Sequence, residues 1–289
     1  MDTVTAGATC LPLTITLELQ QTAEESHQEV ETYQEEVVTK EAGWFSKAVT
    51  EIRTSTRVVA KARSVTKTVS ASFDFCAIPA GNFLMGSQSE GPIHQVTISR
   101  DFCIGKYPVT QAQWEGVMGN NPSSFRGADR PVEQVSWDDC QEFIKRLNAT
   151  GKGTFRLPTE AEWEYACRAG SPDKFCFGDH ESQMNDYAWY NANSDGQTQP
   201  VGTKKPNSWG VYDIHGNVWE WCQDWYDDYC ADPVTDPCGP ESSSIPVRVF
   251  RGGCWRGVAD FAASAHRGGR GPGYRAGILG FRLVFLAVN

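Results

Sequence analysis

At Ser72 the chain changes texture, and that change limits what it can fold into. After it come short aromatic segments, Gly/Pro turns and helices with marked ends. SWDDCQEFIKRLNAT (136–150) opens on Ser136 with Asp139 three positions on, a capping-box spacing, and sets Trp137, Cys140, Phe143, Ile144 and Leu147 on one helical face. TEAEWEYACRAG (159–170) repeats the design: Thr159 and Glu162 form the box, Trp163, Ala166 and Cys167 face inward, and Gly170 ends the helix. A weaker helix starts at Thr110 in TQAQWEGVMG. FDFCAIPAGNFLMG, HQVTISRDFCIGKYPVT and RVFRGGCW supply short strands between these helices. Few helices, short strands and long packed loops predict an α+β domain over 73–289.

Residues 1–72 read differently, as a small N-terminal accessory region. They hold one tryptophan, Trp44, whereas nine of the ten tryptophans lie at or after Trp114, so the aromatic core belongs to the second part. TITLELQ (14–20) alternates like a strand, and TRVVAKARSVTKTVS (56–70) gives a second extended segment. The Glu-rich stretch between them fits either a helix or a third strand.

A net charge of −10 and a pI near 5.0 argue against a nucleic-acid partner. No apolar run approaches the roughly 20 residues of a spanning helix. The start, MDTVTAGATCLPL, shows no basic segment followed by an apolar one, so no export signal is visible. The ten cysteines include no CxxC and no zinc spacing with histidine, and most are expected to be buried, reduced and structural. Catalytic patterns are equally lacking. His94, His180 and His215 are expected in separate loops, Asp227 and Asp228 read as solvated loop charges, and no nucleophile elbow or phosphate loop occurs.

Six blocks in order carry a resemblance: IPAGNFLMGS (78–87), HQVTISRDFCIGKYPVTQAQW (94–114), FRLPTEAEWEYACRAG (155–170), PVGTKKPNSWGVYDIHGNVWEWCQDWY (200–226), RVFRGG (248–253) and GFRL (280–283). Together they resemble the formylglycine-generating-enzyme (sulfatase-modifying factor) family, a branch of the C-type lectin fold. The resemblance covers about 73–289. In the enzymes of that family two cysteines after RGG hold copper, as soft thiolate ligands suit Cu(I). Aligned on RGG, those positions are Gly257 and Ala262, while Cys254 takes a serine slot. No catalytic cofactor is expected. The resemblance also implies a structural calcium site in DIHGNVWEW, at Asp213, Ile214, Gly216, Val218 and Glu220, since hard oxygen ligands from a tight loop suit Ca²⁺. The alternative is that Glu220 only receives loop N–H groups.

The end of the chain is similar to the variable proteins of diversity-generating retroelements, which keep this scaffold and randomise its last loops by substituting template adenines. Their frame is matched by Arg251, Gly252, Gly253, Trp255, Ala259, Ser264, Ala265, Arg267, Pro272, Arg275, Leu279, Gly280, Phe281 and Arg282. Within the variable region of about 254–279 lie Arg256, Gly257, Val258, Phe261, Ala262, Ala263, His266, Gly268, Gly269, Arg270, Gly271, Tyr274, Ala276, Gly277 and Ile278. Adenine substitution in an AAC codon yields these residue types and never Lys, Glu, Gln, Met or Trp, none of which occurs after Trp255. Frame residues such as Trp255, Phe281 and the RGG turn are expected to be buried, and the inserted side chains to face solvent, because buried positions tolerate no arbitrary replacement.

The resemblance therefore implies a non-enzymatic display protein that binds an unknown protein or cell-surface ligand, with Arg256, Phe261, His266, Arg270 and Tyr274 as anchors in an open, shallow or concave site. It also implies export to a bacterial surface, with a lipid anchor as one form of attachment. The competing reading is a divergent oxidoreductase of the formylglycine-generating type that uses Cys254.

Overall fold

Capping decides where the helices start. The computed structural model describes residues 13–40, 49–243 and 246–287; the chain start, Cys10 and Trp44 lie outside them. In chain order the elements are β1 (Leu13–Lys40), β2 (Val49–Ile78), β3 (Gly81–Met85), β4 (His94–Ile98), β5 (Phe102–Gly105), α1 (Gln111–Met118), α2 (Trp137–Asn148), β6 (Thr154–Arg156), α3 (Glu160–Arg168), β7 (Trp219–Trp225), β8 (Val234–Thr235), β9 (Arg248–Arg251), β10 (Arg267–Arg270), β11 (Leu279–Gly280) and β12 (Val284–Leu286). Thr110, Ser136 and Thr159 each close a reciprocal capping box, at the three helix starts expected. Each box satisfies backbone donors that the first helical turn leaves without partners.

Two compact units are present. One combines the described residues up to Leu19 with those from Val69 onward, and the other is Gln20–Thr68. In the second unit the Glu-rich stretch is neither a helix nor a separate strand, because β1 continues through it. Cross-strand charge accounts for this. Lys61 Nζ lies 2.8 Å from Glu29 and 3.2 Å from Glu31, and Arg57 Nη2 lies 3.0 Å from Glu31. Opposite charges facing one another support a ladder that composition alone leaves open.

In the first unit the sheet order is β1-β2-β5-β12-β6, beside a sheet β10-β9-β7-β11 and a small sheet β3-β4-β8. Leu17, Leu19, Ala71 and Phe73 are buried in the same cluster as Trp114, Phe143 and Phe281. Trp114 and Phe143 stack with centroids 5.2 Å apart, and the edge of Phe281 meets Phe143 at 5.4 Å. This junction joins α1 and α2 to the last loop. Burying a ring of that size is worth roughly 3 kcal/mol. The second cluster gathers Trp163, Ala166 and Cys167 of α3 against Ile104, Cys222 and Val249. The termini of the final loop region are thereby tied into both clusters.

Candidate functional site

The loops from Arg251 to Arg282 are held by buried ion pairs. Arg251 has no exposure; its Nε donates to Glu160 Oε1 at 2.9 Å, its Nη2 to Glu164 Oε2 at 2.7 Å, and its Nη1 to the Ser264 carbonyl at 3.0 Å. Arg267 reaches the same Glu160 through Nε at 2.8 Å and Nη2 at 2.6 Å, and its Nη1 donates to the Asp227 carbonyl at 2.7 Å. Both glutamates lie on α3, so one helix fixes β9 and β10 together. A buried carboxylate shared between two guanidiniums is stable only while every partner is present.

Gly252 and Gly253 follow at φ +100 and +75, and a Cβ on Gly252 would come 2.9 Å from Trp163 Cζ2. Only glycine suits that close left-handed turn. Trp255 is half-buried and donates its Nε1 to the Gly277 carbonyl at 2.8 Å, bridging the loop. Arg275 departs from the expected burial. It is exposed and held at the surface by Asp139, at 2.6 and 2.7 Å. Its guanidinium needs only a carboxylate on the first turn of α2, and that carboxylate sits at the rim.

Between these fixed points lies a cleft of about 330 Å³, floored by Trp219, Phe250 and Cys254 and edged by Arg256, Gly257, Phe261, His266, Gly268, Gly269, Arg270 and Ile278. Phe261 stacks on His266, with centroids 5.1 Å apart and planes at 22°. His266 Nδ1 lies 3.0 Å from Glu90 Oε1; burial keeps its pKa below 6.5, against the pull of Glu90. The Arg270 guanidinium lies 5.8 Å from the Tyr274 ring. Val258, Phe261 and Tyr274 are 47%, 44% and 41% exposed, and Arg256 and Arg270 are exposed with them.

The other inserted residues do not all face solvent. Gly257 and Ala262 are buried. Ala262 packs with Phe175, Met184, Ala188 and Ala259, and its α-carbon would lie 2.9 Å from a Cβ on Gly253, so its methyl group is core. Gly257 lies under Phe261. Gly268 is half-buried, and any Cβ there would collide with the Phe250 ring. Ala276 and Ile278 are partly buried against the main core, and Ala263, Gly269, Gly271 and Gly277 are half-buried. The expectation that all fifteen face solvent is corrected accordingly: position within the frame does not determine the direction of a side chain.

Sequence reasoning missed three contributors. Trp219 and Phe250 form the floor and were missed because both lie outside the interval the frame defines, Trp219 on β7 and Phe250 on β9 immediately before Arg251. Asp260 is exposed within the same interval and pairs with Lys174. Aspartate is also reachable from the AAC codon, so that signal was present in the sequence.

The calcium loop is changed more. Glu220 takes Arg282 Nε at 2.6 Å and Nη2 at 2.7 Å, together with Trp163 Nε1 at 2.7 Å. Its carboxylate accepts three side-chain hydrogen bonds, from Arg282 and Trp163, rather than the loop N–H groups of the alternative. Asp213 remains suited to a hard cation. Its Oδ2 accepts from Gly202 N at 2.7 Å, its buried Oδ1 has no hydrogen-bond partner, and burial raises its pKa to about 6. Ile214, Gly216 and Val218 belong to the same buried loop and offer only carbonyls. Among the described residues no group of three or more His, Cys, Asp or Glu is placed to hold a metal.

His94 lies at the start of β4 rather than in a loop, against Tyr229 at 5.1 Å. His215 is buried, and burial lowers its pKa to about 4. Among the described cysteines none is disulfide-bonded; Cys230 and Cys238 are exposed rather than buried. Cys254 is the thiol of the cleft, and its burial raises its pKa. No described helix is long and apolar enough to cross a membrane.

With this geometry in place, the relatives become informative. Residues 60–287 match the sulfatase-modifying factor enzyme 1-like domain, and the chain belongs to that family. Its fold is the C-type lectin-like α+β fold of the formylglycine-generating-enzyme type. Treponema denticola variable protein 1 is a similar solved structure, at 36% identity and TM-score 0.71, covering 74% of this chain and 95% of its own. The chaperone protein LppX of Paenibacillus barcinonensis is 33% identical over 71% of this chain and 86% of its own length. The formylglycine-generating enzyme of Streptomyces coelicolor is 34% identical over 60% of this chain, which spans only 58% of that enzyme.

Proposed function

We propose that this chain is a non-enzymatic binding protein whose cleft between Arg251 and Arg282 presents interchangeable side chains to a protein or cell-surface ligand. The observation that carries this reading is convergence. Eight of the fifteen residues that sit between frame positions, Arg256, Phe261, His266 and Arg270 among them, line one aromatic-floored cleft, Tyr274 lies outside that lining but near Arg270, and the frame positions are mostly buried. Arg256, Phe261, His266, Arg270 and Tyr274 are the anchors, a mixture of planar rings and guanidiniums of the kind that dominates protein interfaces. Similarity to a treponemal variable protein supports the reading. Similarity to formylglycine-generating enzymes gives the competing one. Against that competitor stand Gly257 and Ala262, which carry no thiol, and Cys254, whose buried and protonated thiol is a poor nucleophile. Export to a bacterial surface, with a lipid anchor as one form, belongs to the same proposal. So does calcium, narrowed to Asp213 with the carbonyls of its loop.

Two measurements test the proposal. Aerobic incubation with a cysteine peptide is expected to give no oxygen consumption above background; turnover abolished by Cys254→Ser would establish the oxidoreductase instead. Sequencing downstream of the coding region is expected to reveal a near-repeat of the 254–279 segment differing only at adenines. Its absence removes the argument for diversification.

A further inference from the structure

The cleft has a charge of its own. Arg256, His266 and Arg270 line it and no carboxylate does, on a chain whose net charge is −10. Two acids act on His266, and each is already engaged: Glu90 lies 3.0 Å from its Nδ1, and Asp260 pairs with Lys174. Arg256 and Arg270 are exposed, and neither forms a salt bridge with any described residue. The buried arginines of the same loops, Arg251, Arg267 and Arg282, each hold a carboxylate instead. Two unpaired guanidiniums suit carboxylates, which each can grip with two parallel hydrogen bonds. An acidic partner is repelled by the chain as a whole and attracted at this patch, a contrast that selects where it docks.

The backbone beside these side chains is open too. β10 ends its sheet and pairs only with β9, and among the described residues no other backbone group bonds to its main chain. Arg270 Nη1 donates to the Gly269 carbonyl at 2.9 Å, a bond within the strand itself. A strand edge without a neighbour offers its N–H and C=O groups to an extended segment. Gly268 and Gly269 belong both to this strand and to the cleft lining, and carry no side chain to hold a second backbone away. Trp219, Phe250 and Ile278 supply apolar surface next to them, and Phe261 stands exposed at the margin.

We infer that the cleft takes an extended acidic segment of a protein partner, with carboxylates on Arg256 and Arg270, an aromatic side chain on the floor and its main chain along the free edge of β10. This rests on the reading of the cleft as a binding site and adds the charge and conformation of what is bound. An anionic glycan would bring the charge but no strand to complete the edge.

Fluorescence anisotropy with the full chain tests this, using labelled random copolymers of glutamate with tyrosine and of lysine with tyrosine, which present acidic or basic aromatic segments in many registers. The acidic copolymer is expected to bind saturably and to weaken as salt rises. Arg256→Ser and Arg270→Ser should each weaken it roughly tenfold, the factor typical of one charge-assisted hydrogen bond, and Phe261→Ala roughly threefold. Lys152→Ser, which removes an exposed cation outside the cleft, should leave binding unchanged. The inference fails if the basic copolymer binds as tightly or if the arginine variants bind undiminished. It fails equally if heparin or poly-γ-glutamate, anionic chains without a strand-forming backbone, displaces the acidic copolymer as readily as its unlabelled form does. A basic copolymer bound instead, and lost in Phe261→Ala, overturns the charge assignment and leaves the cleft a binding site. Neither copolymer bound overturns this inference, and the reading of the cleft itself falls with it only if the cysteine peptide is also turned over.

Discussion

The stretch from Arg251 to Arg282 contains two populations of side chains with opposite surroundings. Arg251, Arg267 and Arg282 are buried and each is bound by carboxylates from other elements. Arg256 and Arg270, of the same residue type and only a few positions away, are exposed at the rim of the cleft, with no salt bridge to any described residue. The difference shows that stability and surface chemistry are carried by separate residues in one loop. A scaffold divided in this way can exchange its surface while its fold stays fixed.

The division can be broken most severely at Arg251. Arg251→Met leaves Glu160 and Glu164 buried with one guanidinium fewer, and the expected loss is about 3–5 kcal/mol in urea unfolding. A loss under about 1 kcal/mol would mean that the frame is not what holds the loop. Second in size is a pH effect on the same network. Asp224 keeps its proton up to about 8 in the folded chain but releases it near the ordinary 3.8 when unfolded. Its contribution to stability is therefore complete below pH 4 and is lost as pH rises to about 8. Asp224→Asn should remove a fall on the order of a few kcal/mol across that window, and parallel melting curves for the variant and the parent chain would refute it.

Much of this was legible in the sequence, but unevenly. The three helix starts were visible because a capping box is local, confined to four consecutive residues such as Ser136 to Asp139. The frame was visible as a pattern. The ion pairs beneath it were not, since Glu160 and Arg251 stand 91 positions apart and nothing near either residue names the other. Glu220 shows the same limit. Its loop suggested an ion or backbone amides, and its actual partner is Arg282, 62 residues onward. Ala262 fails for a different reason. Interval position in the frame is one-dimensional, whereas burial depends on Phe175 and Met184, which arrive from another part of the chain.

Ala262 therefore sharpens the comparison between frame and insert. Although it lies between frame positions, it behaves as core, and Ala262→Leu should cost about 1–3 kcal/mol by overpacking. Thermal unfolding indistinguishable from the parent would return it to the interchangeable set. Calcium gives a related check on the supporting loop: chelation is expected to lower the melting temperature by a few degrees, and Asp213→Asn to abolish that response. A parent chain indifferent to chelator removes Asp213 from consideration as a ligand.

The smallest expected effect carries the most weight. Val258→Asn, Arg270→Ser and Tyr274→Asn alter exposed side chains outside the buried network, and each should change unfolding free energy by no more than about 0.5 kcal/mol. Arg270 and Tyr274 lie 5.8 Å apart and should couple slightly, whereas Val258→Asn should add independently, and the chain carrying all three should still unfold cooperatively. Phe261 belongs slightly apart, since its stacking on His266 adds about 0.5–1.5 kcal/mol. If the triple variant folds like its parent and differs only in what adheres to the cleft, the surface is interchangeable in the sense proposed. If it loses several kcal/mol, those side chains are part of the scaffold, and the distinction between a fixed frame and a variable shell fails at the positions where it is most exposed to test.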